Sequence, residues 1–203
     1  MGKTYDEIDE ATARWMTEQH VYFVATGPLS GDGMVNVSPK GNQGSFAVLG
    51  PRRVAYLDIT GSGVETIAHL RENGRIVVMF CAFEGRPKIM RLHGEGRVHQ
   101  RGGASFDALL PHFTGSTLRE EGLRSIIEID VHRIASSCGY SVPLMSFEGV
   151  REHGELWVDK RLTQHGPAGV LKYQEEQNLE SLDGLPGLDP ERVHALETER
   201  VTP

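Results

Sequence analysis

The order of periodicities between residues 20 and 132 limits the fold more than any other feature. Runs of alternating, β-favouring sequence follow one another across glycine- and proline-rich turns, and only two helix-length segments, at 64–73 and 102–113, interrupt them. That order does not sustain the strict strand–helix alternation of a parallel sheet. It predicts a mainly β, antiparallel architecture with flanking helices.

Strands are expected at 20–26, 34–38, 46–49, 53–60, 76–83, 88–100 and 125–132. The first two flank Gly27-Pro28-Leu29-Ser30-Gly31-Asp32-Gly33 and read as a hairpin, with Pro39 ending the second strand. Gly94 and Gly96 mark a bulge or a close backbone approach. An amphipathic helix is expected over 4–19, where Ile8, Ala11 and Trp15 share a face. After residue 135 the composition changes. Two charged helices are expected near 155–164 and 167–178, then an extended stretch at 179–188 and a loose acidic tail from 189. The chain thus divides into a core, residues 1–135, and a C-terminal arm, residues 136–203, that is not an independent domain.

Composition narrows the function classes. Lys and Arg number 21 against 28 Asp and Glu, a formal charge of -7 that argues against a nucleic-acid binder. The longest mostly apolar run, 76–83, is eight residues, and a bilayer span needs about 20, so no membrane segment is expected. The first residues show no basic stretch followed by an apolar one. Cys81 and Cys138 form neither a CxxC pair nor a disulfide framework, and a reducing cytoplasm is the expected compartment.

The densest constellation is Gly61-Ser62-Gly63-Val64-Glu65-Thr66 between a strand and a helix, with Glu84 lying 23 residues beyond Gly61. This comes close to a dinucleotide fingerprint, but Thr66 stands in place of the third glycine and strand follows strand afterwards. The physics under the motif is open two ways. The helix N-terminus suits a phosphate, and Ser62 with Glu65 fits a capping box that needs no ligand.

Four stretches together carry a resemblance. They are Met34-Val35-Asn36-Val37-Ser38-Pro39-Lys40-Gly41, Tyr56-Leu57-Asp58-Ile59-Thr60-Gly61-Ser62-Gly63-Val64-Glu65-Thr66, His69-Leu70-Arg71-Glu72-Asn73-Gly74-Arg75-Ile76 and Lys88-Ile89-Met90-Arg91-Leu92-His93-Gly94-Glu95-Gly96. In order and spacing they resemble the pyridoxamine 5'-phosphate oxidase-like, FMN-binding split-barrel family over about residues 10–135. The resemblance implies a six-stranded antiparallel split barrel, a homodimer, and FMN in a groove between subunits. It implies Lys40 near the flavin, Arg91 on the strand beside it, and Thr60, Ser62 and Thr66 around the phosphate. The family's Ser-Arg-Lys run at this turn is here Val64-Glu65-Thr66, so the substrate stays open and a deazaflavin or haem is the alternative occupant. Asn36 and Ser38 share a strand face and are candidates for the polar edge of a flavin ring, or are ordinary outward residues.

The implied activity is that of an FMN-dependent oxidoreductase acting on a small molecule, with NAD(P)H as a possible partner. A non-catalytic flavin or haem carrier is the alternative. No catalytic residue stands out. Nine histidines show no HxH, HxxxH or HExxH spacing, so no metal site is expected. No GxSxG elbow supports a serine nucleophile.

Overall fold

The computed structural model describes residues 2–166 and 168–201. Eight antiparallel strands form one sheet: β1 (Lys3–Tyr5), β2 (Tyr22–Thr26), β3 (Asn36–Lys40), β4 (Phe46–Gly50), β5 (Arg53–Ile59), β6 (Arg75–Cys81), β7 (Ile89–Gln100) and β8 (Leu123–Ser137). Their order is β3-β2-β6-β7-β8-β5-β4, with β1 added to β8. The helices are α1 (Glu10–Thr17), α2 (Glu65–Asn73), α3 (Ala104–Leu109), α4 (His153–His165), α5 (Ala168–Gln177) and α6 (Pro190–Val201). The expectation of six strands therefore gives way to eight.

Alternation explains the pattern. In β2 every second residue is buried, and β5 and β8 are buried along most of their length because both sheet faces are covered there. The sheet curls until its ends approach. Tyr22 of β2 packs edge-on against Phe46 of β4, with ring centroids 5.4 Å apart, and the Lys40 side chain of β3 reaches Asp58 of β5. Tyr22, Phe46, Tyr56 and Phe80 form the aromatic centre of the core.

Several local expectations are corrected. Residues 3–5 are a strand paired with Ile134, Ala135 and Ser136, and the first helix starts only after Asp9, whose carboxylate accepts from the Thr12 amide at 2.7 Å. Pro39 does not stop β3 but lies inside it. It is tolerated because β3 pairs on one side alone, so the missing N–H breaks no ladder bond on the open edge. The bulge expected near Gly94 is present, as a register shift between His93 and Gly94. The stretch from 189 is a helix, α6, instead of a loose tail, because Val193 is buried in the main core and Leu196 packs against it. Leu171 and Leu188 join the same core, so the C-terminal segment shares its apolar interior with the sheet. Among the described residues no helix is long and apolar enough to cross a membrane.

Candidate cofactor cleft

Where β3, β5 and the start of α2 converge, a cleft of about 320 Å³ opens. Asn36, Ser38 and Lys40 reach it from β3. The period-two pleat puts these three on one face while Val37 points outward, and the exposed Pro39 borders the cleft between them. Leu57, Ile59 and Leu118 supply apolar wall, and Thr60, Gly61, Gly63, Glu65 and Thr66 form the turn and first helical residues. Arg124 completes the lining from the start of β8.

A buried charge cluster underlies the cleft. Asp58 is fully buried; Arg124 Nε donates to its Oδ2 at 2.7 Å and Lys40 Nζ to its Oδ1 at 2.9 Å. The Ser125 hydroxyl adds a third bond at 3.2 Å. Burial by itself would push the Asp58 carboxyl up, but Arg124 and Lys40 outweigh it and hold the group well below the usual carboxylate range. Arg124 Nη1 also donates to the Gly63 carbonyl at 2.7 Å, which anchors the turn. Two cations against one carboxylate leave this cluster at +1, and the Glu65 carboxylate in the cleft lining balances it.

The turn is free of the expected capping box. The N-cap residue of α2 is Val64, no side chain caps this end, and Ser62 is exposed. Glu65 instead turns to the arm, where its Oε1 accepts from the Leu182 amide at 3.4 Å. The missing cap leaves first-turn N–H groups of a nine-residue helix beside the cleft. Gly74, at φ 71°, closes α2 in the left-handed conformation that glycine tolerates best.

The arm seats itself on this turn in its own chain. Gln174 Nε2 donates to Thr60 Oγ1 at 2.8 Å and Asn178 Nδ2 to the Gly61 carbonyl at 2.9 Å. Hydrogen bonds among cleft residues order the β3 wall: Asn36 Nδ2 lies 2.9 Å from Thr66 Oγ1, and Ser38 Oγ donates to Asn36 Oδ1 at 2.9 Å.

Of the seven residues expected at a cofactor, Asn36, Ser38, Lys40, Thr60 and Thr66 line this one cleft, and Ser62 is exposed and not among the lining residues. Arg91 is not among the lining residues; on β7 it pairs across to Met79 and Ala135 and donates to Ser137 Oγ at 3.1 Å. Asp58 and Arg124 are the residues that sequence reading missed. A signal for Asp58 existed, since a carboxylate in the apolar run Val54-Ala55-Tyr56-Leu57 and Ile59 must find a buried partner. Arg124 carried no such signal.

A second hollow, of about 570 Å³, lies between the end of α1 and residues 145–147, walled by Trp15, His20, Phe83 and Phe147. It offers Arg86 against Glu18 and Glu84, one cation against two carboxylates. On the surface, Glu175, His194 and Glu197 bring possible ligand atoms within 4.8 Å of one another, and His194 Nδ1 lies 2.7 Å from Glu175 Oε1.

Two sequence comparisons bear on the family. The family model described as pyridoxamine 5'-phosphate oxidase matches residues 8–138. A pyridoxamine 5'-phosphate oxidase family protein of Aspergillus flavus, ustO, is 38% identical over 203 residues, covering 91% of this chain and 77% of that protein. Among solved structures, HupZ of Group A Streptococcus is similar with a TM-score of 0.47 and 20% identity, over 63% of this chain and 91% of that one. An FMN-binding protein of Syntrophomonas wolfei is similar with a TM-score of 0.46 and 16% identity, over 66% and 86%. The two sequence matches, which span the strands and helices that build the cleft, place this chain in the pyridoxamine 5'-phosphate oxidase family.

Proposed function

We propose that the chain binds FMN in the cleft of β3, β5 and α2 and works as a flavin-dependent oxidoreductase on a small organic molecule. The observation that carries this reading is the pairing of an uncapped α2 N-terminus with Lys40. Of the three ammonium donors of Lys40, one is spent on Asp58. An uncapped helix start and a cation with donors to spare suit a phosphate monoester. Membership of the pyridoxamine 5'-phosphate oxidase family supports the flavin.

Each lining residue has a task in this reading. Asp58 stays ionised and holds Lys40 and Arg124 in place, so the phosphate meets two cations that are already positioned. Arg124 fixes the turn through the Gly63 carbonyl. Asn36 and Ser38 face the polar edge of the ring, and Leu57, Ile59 and Leu118 exclude water from it. When bound, the flavin supplies hydride or electron transfer, with NAD(P)H as the donor. The chain acts as a homodimer. Among the described strands β3 has an unpaired edge, and the outward Val35 and Val37 are 74% and 62% exposed and suit cover by a second copy.

Titration with FMN, followed by flavin fluorescence with riboflavin as the phosphate-free control, tests the reading. FMN is expected to bind and riboflavin to bind weakly. Lys40→Ala should weaken FMN by about tenfold or more, the value of one charge-assisted hydrogen bond. No binding of either compound overturns the reading and turns the search to a deazaflavin or haem. Light scattering after size exclusion tests the dimer.

A further inference from the structure

A buried histidine ties the cleft to the C-terminal arm. His69 lies on α2 with its ring fully buried. Its Nδ1 is 3.0 Å from Thr26 Oγ1. Its Nε2 has no hydrogen-bond partner among the described residues, and Asp183 Oδ2, from the segment between α5 and α6, lies 3.9 Å away. Asp183 is held there by the Met34 amide, which donates to the same oxygen at 2.9 Å. From Thr26 the contacts run on into the cleft. Asn36 Nδ2 is 3.2 Å from Thr26 Oγ1 and 2.9 Å from Thr66 Oγ1, and Asn36 Oδ1 is 2.9 Å from Ser38 Oγ.

Counting protons allows two arrangements of these groups when the imidazole is neutral. In the first, the ring proton is on Nε2. Nδ1 then accepts the single hydroxyl proton of Thr26, Thr26 accepts from the Asn36 amide, and Asn36 Oδ1 accepts from Ser38. Ser38 shows the cleft only lone pairs, and Thr66 keeps a proton to give. In the second, the ring proton is on Nδ1 and is donated to Thr26. Among the described residues the buried Thr26 hydroxyl has no other acceptor, so its proton then goes to Asn36, whose amide turns over. Ser38 now accepts from Asn36 and gains a free proton, and that of Thr66 is spent. The tautomer of one buried ring therefore decides which cleft hydroxyl donates. A carboxylate on the Nε2 side favours the first arrangement.

We infer that His69 is a positioning residue for the cleft, and that Asp183 on the arm selects its Nε2–H tautomer, so that the cleft wall presents Ser38 as acceptor and Thr66 as donor. The matching ligand edge carries an N–H beside a carbonyl, as an imide does.

Nitrogen-15 NMR of histidine-labelled protein tests it, at a pH where the rings are neutral, with the His69 signals identified by their loss in His69→Gln. The wild-type ring should carry its proton on Nε2. Asp183→Asn keeps an acceptor for the Met34 amide and removes the charge. It should lower the ratio of Nε2–H to Nδ1–H by roughly tenfold or more, because a unit charge this close acts through little solvent. Thr26→Val should leave the proton on Nε2, since Asp183 remains. A wild-type proton on Nδ1, or an unchanged ratio in Asp183→Asn, overturns the inference. An FMN titration of the same proteins separates the two readings. Failure of wild type to bind FMN overturns the flavin reading and leaves a positive tautomer result standing. FMN binding with an unmoved tautomer overturns this inference alone.

Discussion

Two carboxylates on paired strands of the same sheet, Asp58 on β5 and Glu128 on β8, each gather basic side chains, and the two sets of partners differ in their exposure to solvent. Asp58 is fully buried, with Arg124 at 2.7 Å and Lys40 at 2.9 Å. Glu128 meets His99 at 2.8 Å, Arg97 at 3.4 Å and Arg53 at 3.5 Å, but both arginines are about half exposed. The number of partners favours Glu128. Burial makes Asp58 the stronger determinant, because charges taken out of water depend on one another while exposed ones fall back on solvent and salt.

The largest effect is expected at the buried cluster. Asp58→Ala leaves Arg124 and Lys40 facing each other without their anion, and should cost about 3–5 kcal/mol in chemical denaturation. A loss no greater than that of Glu128→Ala would break the comparison.

Acid sharpens it. The folded Asp58 carboxyl is held below its ordinary value of 3.8. Its contribution is therefore fully present above about pH 4 and is lost as pH falls toward the depressed folded value. The stability difference between wild type and Asp58→Asn should shrink as denaturation is repeated from about pH 5 downward. A difference that stays constant across that range would contradict the ionised, paired Asp58.

Lys40→Ala should have a smaller effect, about 1–2 kcal/mol, since Arg124 still satisfies Asp58. Thermal melts would show it, and a loss as large as that of Asp58→Ala would mean that Lys40, not Arg124, carries the cluster. The smallest effect belongs to the outer group. Arg97→Ala should cost no more than about 1 kcal/mol, and raising the salt to about 0.5 M should erase most of that.

The strands were legible wherever their signal is local. Hydrophobic alternation and turn residues located β2, β5, β6 and β7 to within a few positions, and Gly74 marked the end of α2. The misses share a cause. β1 is three residues long and exists because β8 offers it an edge, so no period could reveal it. α6 carries a weak apolar face, and only the core contact of Val193 shows that this face is used. The capping box failed for a related reason. Ser62 and Glu65 have the right spacing, but the arm gives Glu65 another partner in the Leu182 amide.

The sequence by itself determined that Asn36, Ser38 and Lys40 share one face, because a pleated strand leaves them no other arrangement. It also determined that a helix starts just after Gly63. Only the tertiary structure decided that Lys40 and Arg124, far apart in the chain, meet on Asp58. It likewise decided that Gln174 and Asn178 of the arm close on the turn at Thr60 and Gly61. Periodicity and turn chemistry act between neighbours in the chain and can be read there. Pairing of buried charges acts across the curl of the sheet, where position in the sequence carries no trace of distance.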